Sequence, residues 1–119
     1  MLRILARLLL ASAPVIAVVS TTQAHDTWIN HGGFTGKGQA AGEWCCGEGD
    51  CAVMDSGTVT PTRTGYRIHG FGTIDGVERV WIDDVVPDTE AQPSPDGSYW
   101  RCKRPDGSRR CFFAPPEGS

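Results

Sequence analysis

Five cysteines carry the most reactive chemistry in this chain, and they fall into two groups. Cys45, Cys46 and Cys51 crowd into one short stretch, whereas Cys102 and Cys111 lie far downstream. Thiols can attack a substrate, hold a soft metal or pair with one another. A dithiol catalyst normally shows Cys-x-x-Cys at a helix start, where the thiolate is favoured. Here Cys45 and Cys46 are adjacent, four residues separate Cys46 from Cys51, and Glu48 and Asp50 raise a neighbouring thiol's pKa rather than lower it. Three thiolates and a histidine would suit zinc or copper(I), but in an oxidising compartment the same thiols are oxidised first. The remaining role is structural: all five cysteines are disulfide candidates that tie the start of a small domain to its end. Five cannot all pair within one chain, so one is left free or bridges to another molecule.

The second group of chemical residues is His25, His31 and His69. If the chain is cut after Ala24, the α-amine and imidazole of His25 become adjacent nitrogen ligands for copper(II), and His31 or His69 could complete the site. This arrangement resembles the histidine brace of copper monooxygenases at the single position His25. It defines an alternative reading as a copper-binding protein or copper enzyme. The primary reading assigns no catalytic residue and no cofactor. The third group is basic: Arg101, Lys103, Arg104, Arg109 and Arg110 surround one turn and are anion-binding candidates for a phosphate, a lipid head group or an acidic protein surface. Their competing role is internal, as partners for the acidic stretch that holds Asp75, Glu78, Asp83, Asp84, Asp88 and Glu90.

The elements that must position these residues begin with a leader. Arg3 and Arg7 precede an apolar run over residues 8–19, followed by Thr22-Gln23-Ala24, which is the layout of a secretory signal peptide over residues 1–24. The run is shorter than the roughly 20 residues of a membrane-spanning helix, and Pro14 interrupts it, so no transmembrane anchor is expected. The expected location is periplasmic or secreted. The whole chain of 119 residues has a net charge of −3. Loss of Arg3 and Arg7 makes the remainder more acidic, which gives it no general attraction to nucleic acid. Long aliphatic runs are absent after the leader, and Trp28, Trp44, Trp81 and Trp100 are expected to supply the core, with a carbohydrate-stacking surface as the alternative.

Residues 25–43 are polar and glycine-rich and read as an irregular arm. A disulfide-stapled β domain over 44–113 follows, then an extended tail over 114–119. Short strands are predicted at 51–54 and 58–60. A strand at 65–69 turns Tyr66 and Ile68 inward and ends at Gly70 and Gly72. Thr73-Ile74 and residues 77–82 flank Asp75-Gly76, a two-residue hairpin signal. Val80 and Ile82 share one face with Glu78, and Val77, Arg79 and Trp81 share the other. Pro87, Pro93 and Pro95 make 83–97 a loop. Strands at 98–103 and 108–113 flank the turn at Pro105-Asp106-Gly107. No capped amphipathic helix is visible, so the fold class is a small, irregular all-β domain of short antiparallel strands and hairpins.

Register leaves the cysteine pairing open. A two-residue loop at Asp106-Gly107 sets Cys102 opposite Cys111 at a non-hydrogen-bonded position, close enough to bridge. A type I turn with a bulge at Gly107 sets 104 opposite 108 and turns Cys111 to the other sheet face, so that a hairpin cysteine would bridge back to the 45–51 cluster. Pro105, which has no N–H, favours the second.

The chain resembles a group of small exported cysteine-rich proteins of Gram-negative bacteria. The resemblance rests on His25-Asp26-x-Trp28, Cys45-Cys46-x-x-x-Asp50-Cys51, Gly65-Tyr66-Arg67, Pro93-Ser94-Pro95-Asp96-Gly97, Arg101-Cys102 and Arg110-Cys111-Phe112-Phe113-x-Pro115-Pro116. It implies export and a shared disulfide framework, and no activity. The expected function is a disulfide-stabilised binding or interaction module, rather than an enzyme, whose partner the sequence does not name.

Overall fold

A long hairpin forms the backbone of the fold. The computed structural model describes residues 28–31, 33–45 and 49–116, and Pro14 upstream. The expected leader, His25, Cys46 and residues 117–119 lie outside the described residues, Pro14 excepted. Strands β1 (Cys51–Met54), β2 (Val59–Pro61), β3 (Gly65–Ile74), β4 (Glu78–Pro87), β5 (Ala91–Pro93), β6 (Trp100–Lys103) and β7 (Arg109–Ala114) build one sheet, so the domain is all-β as expected. Helical structure among the described residues is limited to α1 (Trp28–His31) and 3₁₀ turns at Gly38–Ala40 and Asp88–Glu90.

Across the sheet, β4 pairs with one edge of β3, and β2 and β1 share the other edge. Then follow β6, β7 and β5, the last parallel to β7. Strand β4 ends at Pro87 and β5 starts at Ala91, so only a 3₁₀ turn joins one margin of the sheet to the other. A sheet can satisfy that connection only by curling on itself.

The hairpin is longer than the sequence suggested. Strand β3 does not stop at Gly70 and Gly72 but runs on to Ile74. Those glycines instead let other strands approach its face. Gly70 has φ +153°, and a Cβ there would lie 2.5 Å from Thr58 Cγ2. A Cβ on Gly72 would meet Met54 Sδ and Val53 O at 2.9 Å. The Asp75-Gly76 turn forms with both residues at positive φ, and Val77 N–H donates to Ile74 O at 3.0 Å. Ile74 then faces Glu78, which leaves Val77 as an extra residue beyond the two-residue loop. The predicted loop over 83–97 is also corrected, because β4 continues to Pro87 and β5 lies within it. Pro61, Pro87 and Pro93 each end a strand, where a missing N–H removes no interior ladder bond.

Two cores occupy opposite faces of the sheet. Inside the curl lie Met54, Tyr66, Ile68, Ile74, Ile82, Val86 and Phe112. Val80 and Ile82 thus point inward together, as predicted, and Val86, expected in a loop, joins them. On the outer face of β1, β6 and β7 lie Ile29, Phe113 and the four paired cysteines, with Trp28, Phe34 and Trp100 packed on them. Strand β7 serves both cores by alternation, Phe112 and Ala114 to one and Cys111 and Phe113 to the other. The glycine-rich arm is therefore the lid of the second core, held by Trp28, Ile29 and Phe34. Trp28 packs edge-on against Phe113 with ring centroids 5.0 Å apart.

Disulfides Cys45–Cys111 and Cys51–Cys102 close this lid. Both hairpin cysteines reach back to the 45–51 cluster, and the cross-hairpin alternative does not form. The turn follows the bulged register, with Arg104 N–H bonded to Ser108 O. An irregularity next to Cys102 then shifts the pairing, so that Cys102 nevertheless faces Cys111. Backbone bonding along β6 alternates. Lys103 N–H donates to Asp50 O on the β1 side and Arg104 N–H donates toward β7, so Cys102 also bonds β7. That makes Cys102 and Cys111 a hydrogen-bonded pair on one sheet face, which corrects the expectation that the bulged turn sends Cys111 to the other face. The closer, non-hydrogen-bonded relation belongs to Cys51 and Cys102, whose Cα atoms are 3.9 Å apart.

Candidate functional site

The basic hairpin is occupied from within. Arg101 Nε lies 3.0 Å and Arg109 Nη1 2.6 Å from Asp84 Oδ2, and Arg109 also pairs with Glu90. Arg104 donates to both carboxylate oxygens of Glu43, at 2.6 Å from Nη2 and 2.9 Å from Nε. Arg110 reaches Asp50 at 3.3 Å and Glu43 at 3.6 Å. Four of the five anion-binding candidates thus tie β4, the arm and the turn before β1 to the β6–β7 hairpin. Lys103 makes no ion pair among the described residues. Its side chain lines a cleft of about 210 Å³ that also holds Val80, Ile82, Arg101 and Gly107.

These contacts shift the carboxylates downward. Burial pushes the Asp84 carboxyl up, but the hydrogen bonds and charges of Arg109 and Arg101 outweigh it and leave the pKa below its ordinary value. Burial likewise pushes the Asp96 carboxyl up, but the polar indole edge of Trp28 near it and hydrogen bonds from Ser98, Ser94 and Trp100 outweigh it, so Asp96 is also lowered. Hydrogen bonding from Arg104 lowers Glu43, and that from Arg79 lowers Asp55.

His25 and the side chain of His31 lie outside the described residues, although His31 closes helix α1. His69 lies on the outer face of β3. Among the described residues, no group of three or more His, Cys, Asp or Glu side chains is arranged to hold a metal ion.

What the fold does present is an aromatic ridge on the outer face of the β3–β4 hairpin. Alternation places Arg67, His69, Phe71 and Thr73 of β3 beside Val85, Asp83, Trp81 and Arg79 of β4, in that order. Phe71 and Trp81 face each other directly, with ring centroids 5.0 Å apart, and remain 45% and 54% exposed. The His69 ring lies 5.0 Å from Trp81 on the other side. Arg79 covers Phe71, its guanidinium carbon 5.5 Å from the ring centroid. It also binds Asp55 with two hydrogen bonds, at 2.8 and 2.5 Å, and Thr73 Oγ1 at 2.8 Å. Arg67 pairs with Asp83 at 2.8 Å. The arginines thus form a polar rim around the exposed rings.

Sequence reasoning put Trp81 and Arg79 on one face but missed Phe71, because Gly70 and Gly72 were read as the end of the strand. The available signal was the odd-numbered series Arg67, His69, Phe71 and Thr73, which continues strand alternation through both glycines. Trp28 and Trp100 went to the core as expected, whereas Trp44 and Trp81 did not.

Compared with family models, curated proteins and solved structures, the chain matches none of them.

Proposed function

We infer that this chain is exported to the periplasm or beyond and works there as a small disulfide-stabilised binding module whose contact surface is the ridge of Phe71, Trp81 and His69. The observation that carries this reading is the pair of half-exposed rings held against each other on a rigid hairpin. A folded domain gains by burying such rings, and large exposed aromatic surface with an arginine rim is the composition of protein contact sites. The ridge sits on the two ten-residue strands, which pair with each other along their whole length, so it is pre-organised and loses little conformational freedom on contact. Two disulfides and an apolar leader support the exported setting. The partner that fits is a protein surface offering an apolar anchor, with carboxylates to meet Arg67 and Arg79.

The test compares the wild-type domain with Phe71→Ala/Trp81→Ala as immobilised baits for solubilised cell-envelope proteins. Both rings are exposed, so the variant should keep its thermal midpoint within a few degrees. A protein retained by wild type and lost from the variant supports the reading. Equal recovery by both baits, or no retained protein in either case, overturns it.

A further inference from the structure

Among the described residues, strand β4 has a partner on one side only, and the other side is an open edge. The direction of its backbone groups follows from β3. His69 N–H donates to Thr58 O, and Phe71 O accepts from Asp55 N–H, so odd-numbered residues of β3 bond toward β2 and β1. Even-numbered residues of β3 therefore bond β4, through Val80, Ile82 and Asp84. Arg79, Trp81, Asp83 and Val85 turn their N–H and C=O groups to the free edge.

That edge is closed at both ends. Val85 N–H donates to the Asp84 carboxylate at 2.9 Å, and Val85 O accepts from Arg109 Nη1 at 3.2 Å. At the other end, Val77 N–H is used in the turn, bonded to Ile74 O. The open window is residues 79–83, and its centre is Trp81. The cleft of about 210 Å³ between Val80–Ile82 and Lys103 and Gly107 keeps the β6–β7 turn off this stretch.

The side chains along the window read the same chemistry in both directions. Two β4 strands laid antiparallel about a two-fold axis through Trp81 place Arg79 opposite Asp83, Trp81 opposite Trp81, and Asp83 opposite Arg79. The flanking exposed Val77 and Val85, 84% and 60% accessible, come opposite each other. Sliding the register by two residues sets Arg79 against Trp81 or Val85 and loses every charge pair. In the Trp81-centred register all outward backbone groups of the window meet outward groups of the other strand.

We propose that this chain forms a two-fold homodimer by edge-to-edge pairing of β4, centred on Trp81, which joins the two sheets into one. Natural proteins protect open edges with inward charges, proline or lysine. The 79–83 window has opposite charges at equal distances from its centre, which repel an arbitrary strand less than they attract a second copy. The intrachain partners of Arg79 and Asp83, Asp55 and Arg67, are exposed pairs that cost little to rearrange. Side chains of Phe71 and Trp81 stand out of the sheet plane, so the dimer sets the two aromatic ridges side by side without covering them. The dimer takes up Arg79 and leaves Phe71, Trp81 and Arg67 to whatever the ridge binds.

Sedimentation velocity on the oxidised Cys46→Ser protein tests it, because that variant removes any covalent linkage between copies through the fifth cysteine. The expected result is a reversible, concentration-dependent dimer. Asp83→Arg sets arginine against arginine twice and should weaken the dimer by about tenfold or more. The exchange Arg79→Asp/Asp83→Arg restores opposite charges and should restore dimerisation, while far-UV circular dichroism reports that each variant folds. A monomer at all concentrations, a dimer indifferent to Asp83→Arg, or a charge exchange that fails to restore pairing in a folded variant overturns the proposal.

Discussion

Replacing Cys45 and Cys111 together by alanine cuts the bond between the arm and β7, and the structure sets the size of the loss. The two residues are 66 apart in sequence. Chain-entropy reasoning assigns a cross-link of that span about 4 kcal/mol, through freedom restored to the unfolded chain. Both sulfurs are buried in the outer core, so truncation also leaves unfilled space worth roughly 1 kcal/mol. A domain of this size has about 5–15 kcal/mol in all, so the variant should sit near the limit of folding. The loss should be local first. Trp28 rests on Phe113 and Trp100 and is held there by the arm alone, whereas β6 and β7 keep their ladder. Urea titration followed by tryptophan fluorescence and by far-UV circular dichroism should therefore show a red-shifted emission at urea concentrations where the strand signal persists. Removing Cys51 and Cys102 cuts a span of 51 residues between strands that already pair, so its two signals should fall together. A loss below about 1 kcal/mol for the Cys45/Cys111 variant, or coincident transitions in it, would refute the reasoning.

Other perturbations have equally definite outcomes. Asp84→Asn leaves partly buried Arg101 without a carboxylate and Arg109 with Glu90 alone, and should cost about 2–3 kcal/mol in a denaturant titration. Gly72→Ala should cost about 1–3 kcal/mol, because its Cβ meets backbone Val53 O at 2.9 Å, and an unchanged midpoint would refute the close approach. The lowered pKa values of Asp84 and Asp96 fix a pH dependence. A depressed carboxylate contributes stability above its unfolded pKa of about 4 and loses it as pH falls through the folded value. Thermal midpoints should thus be level from pH 7 to 5 and fall below 4, and a decline between 7 and 5 would contradict the assignment.

The strand pattern was legible where alternation is uninterrupted. Tyr66 and Ile68, and Val80 and Ile82, announced their inward face through two-residue spacing, and Asp75-Gly76 announced the turn. Legibility failed where a residue's usual local meaning was overridden by its neighbours in space. Gly70 and Gly72 normally interrupt a strand, yet here they make room for Thr58 and Met54. Pro87 and Pro93 suggested a loop, but each occupies a strand end. Asp84 looked like one member of an acidic surface run, and it is the shared partner of two arginines from the far side of the curl. That pairing also explains why the basic residues around Asp106-Gly107 looked like an anion site from sequence alone: their carboxylates come from Glu43, Asp50, Asp84 and Glu90, the first two 60 or more residues away in the chain. Cysteine pairing depended on which cross-strand pairs are hydrogen-bonded, a property fixed by three strands together and not by the hairpin sequence. The ridge needed both strands in register before Phe71 and Trp81 could be seen as one surface.

The most direct test of the account is non-reducing peptide mapping of the protein recovered from the periplasm of an expressing Gram-negative cell. The account predicts linked peptides for Cys45–Cys111 and Cys51–Cys102, with Cys46 in neither. A Cys102–Cys111 link, or cysteines recovered reduced and only in the cytoplasm, would contradict both the clasped arm and the exported, disulfide-held binding domain built on it.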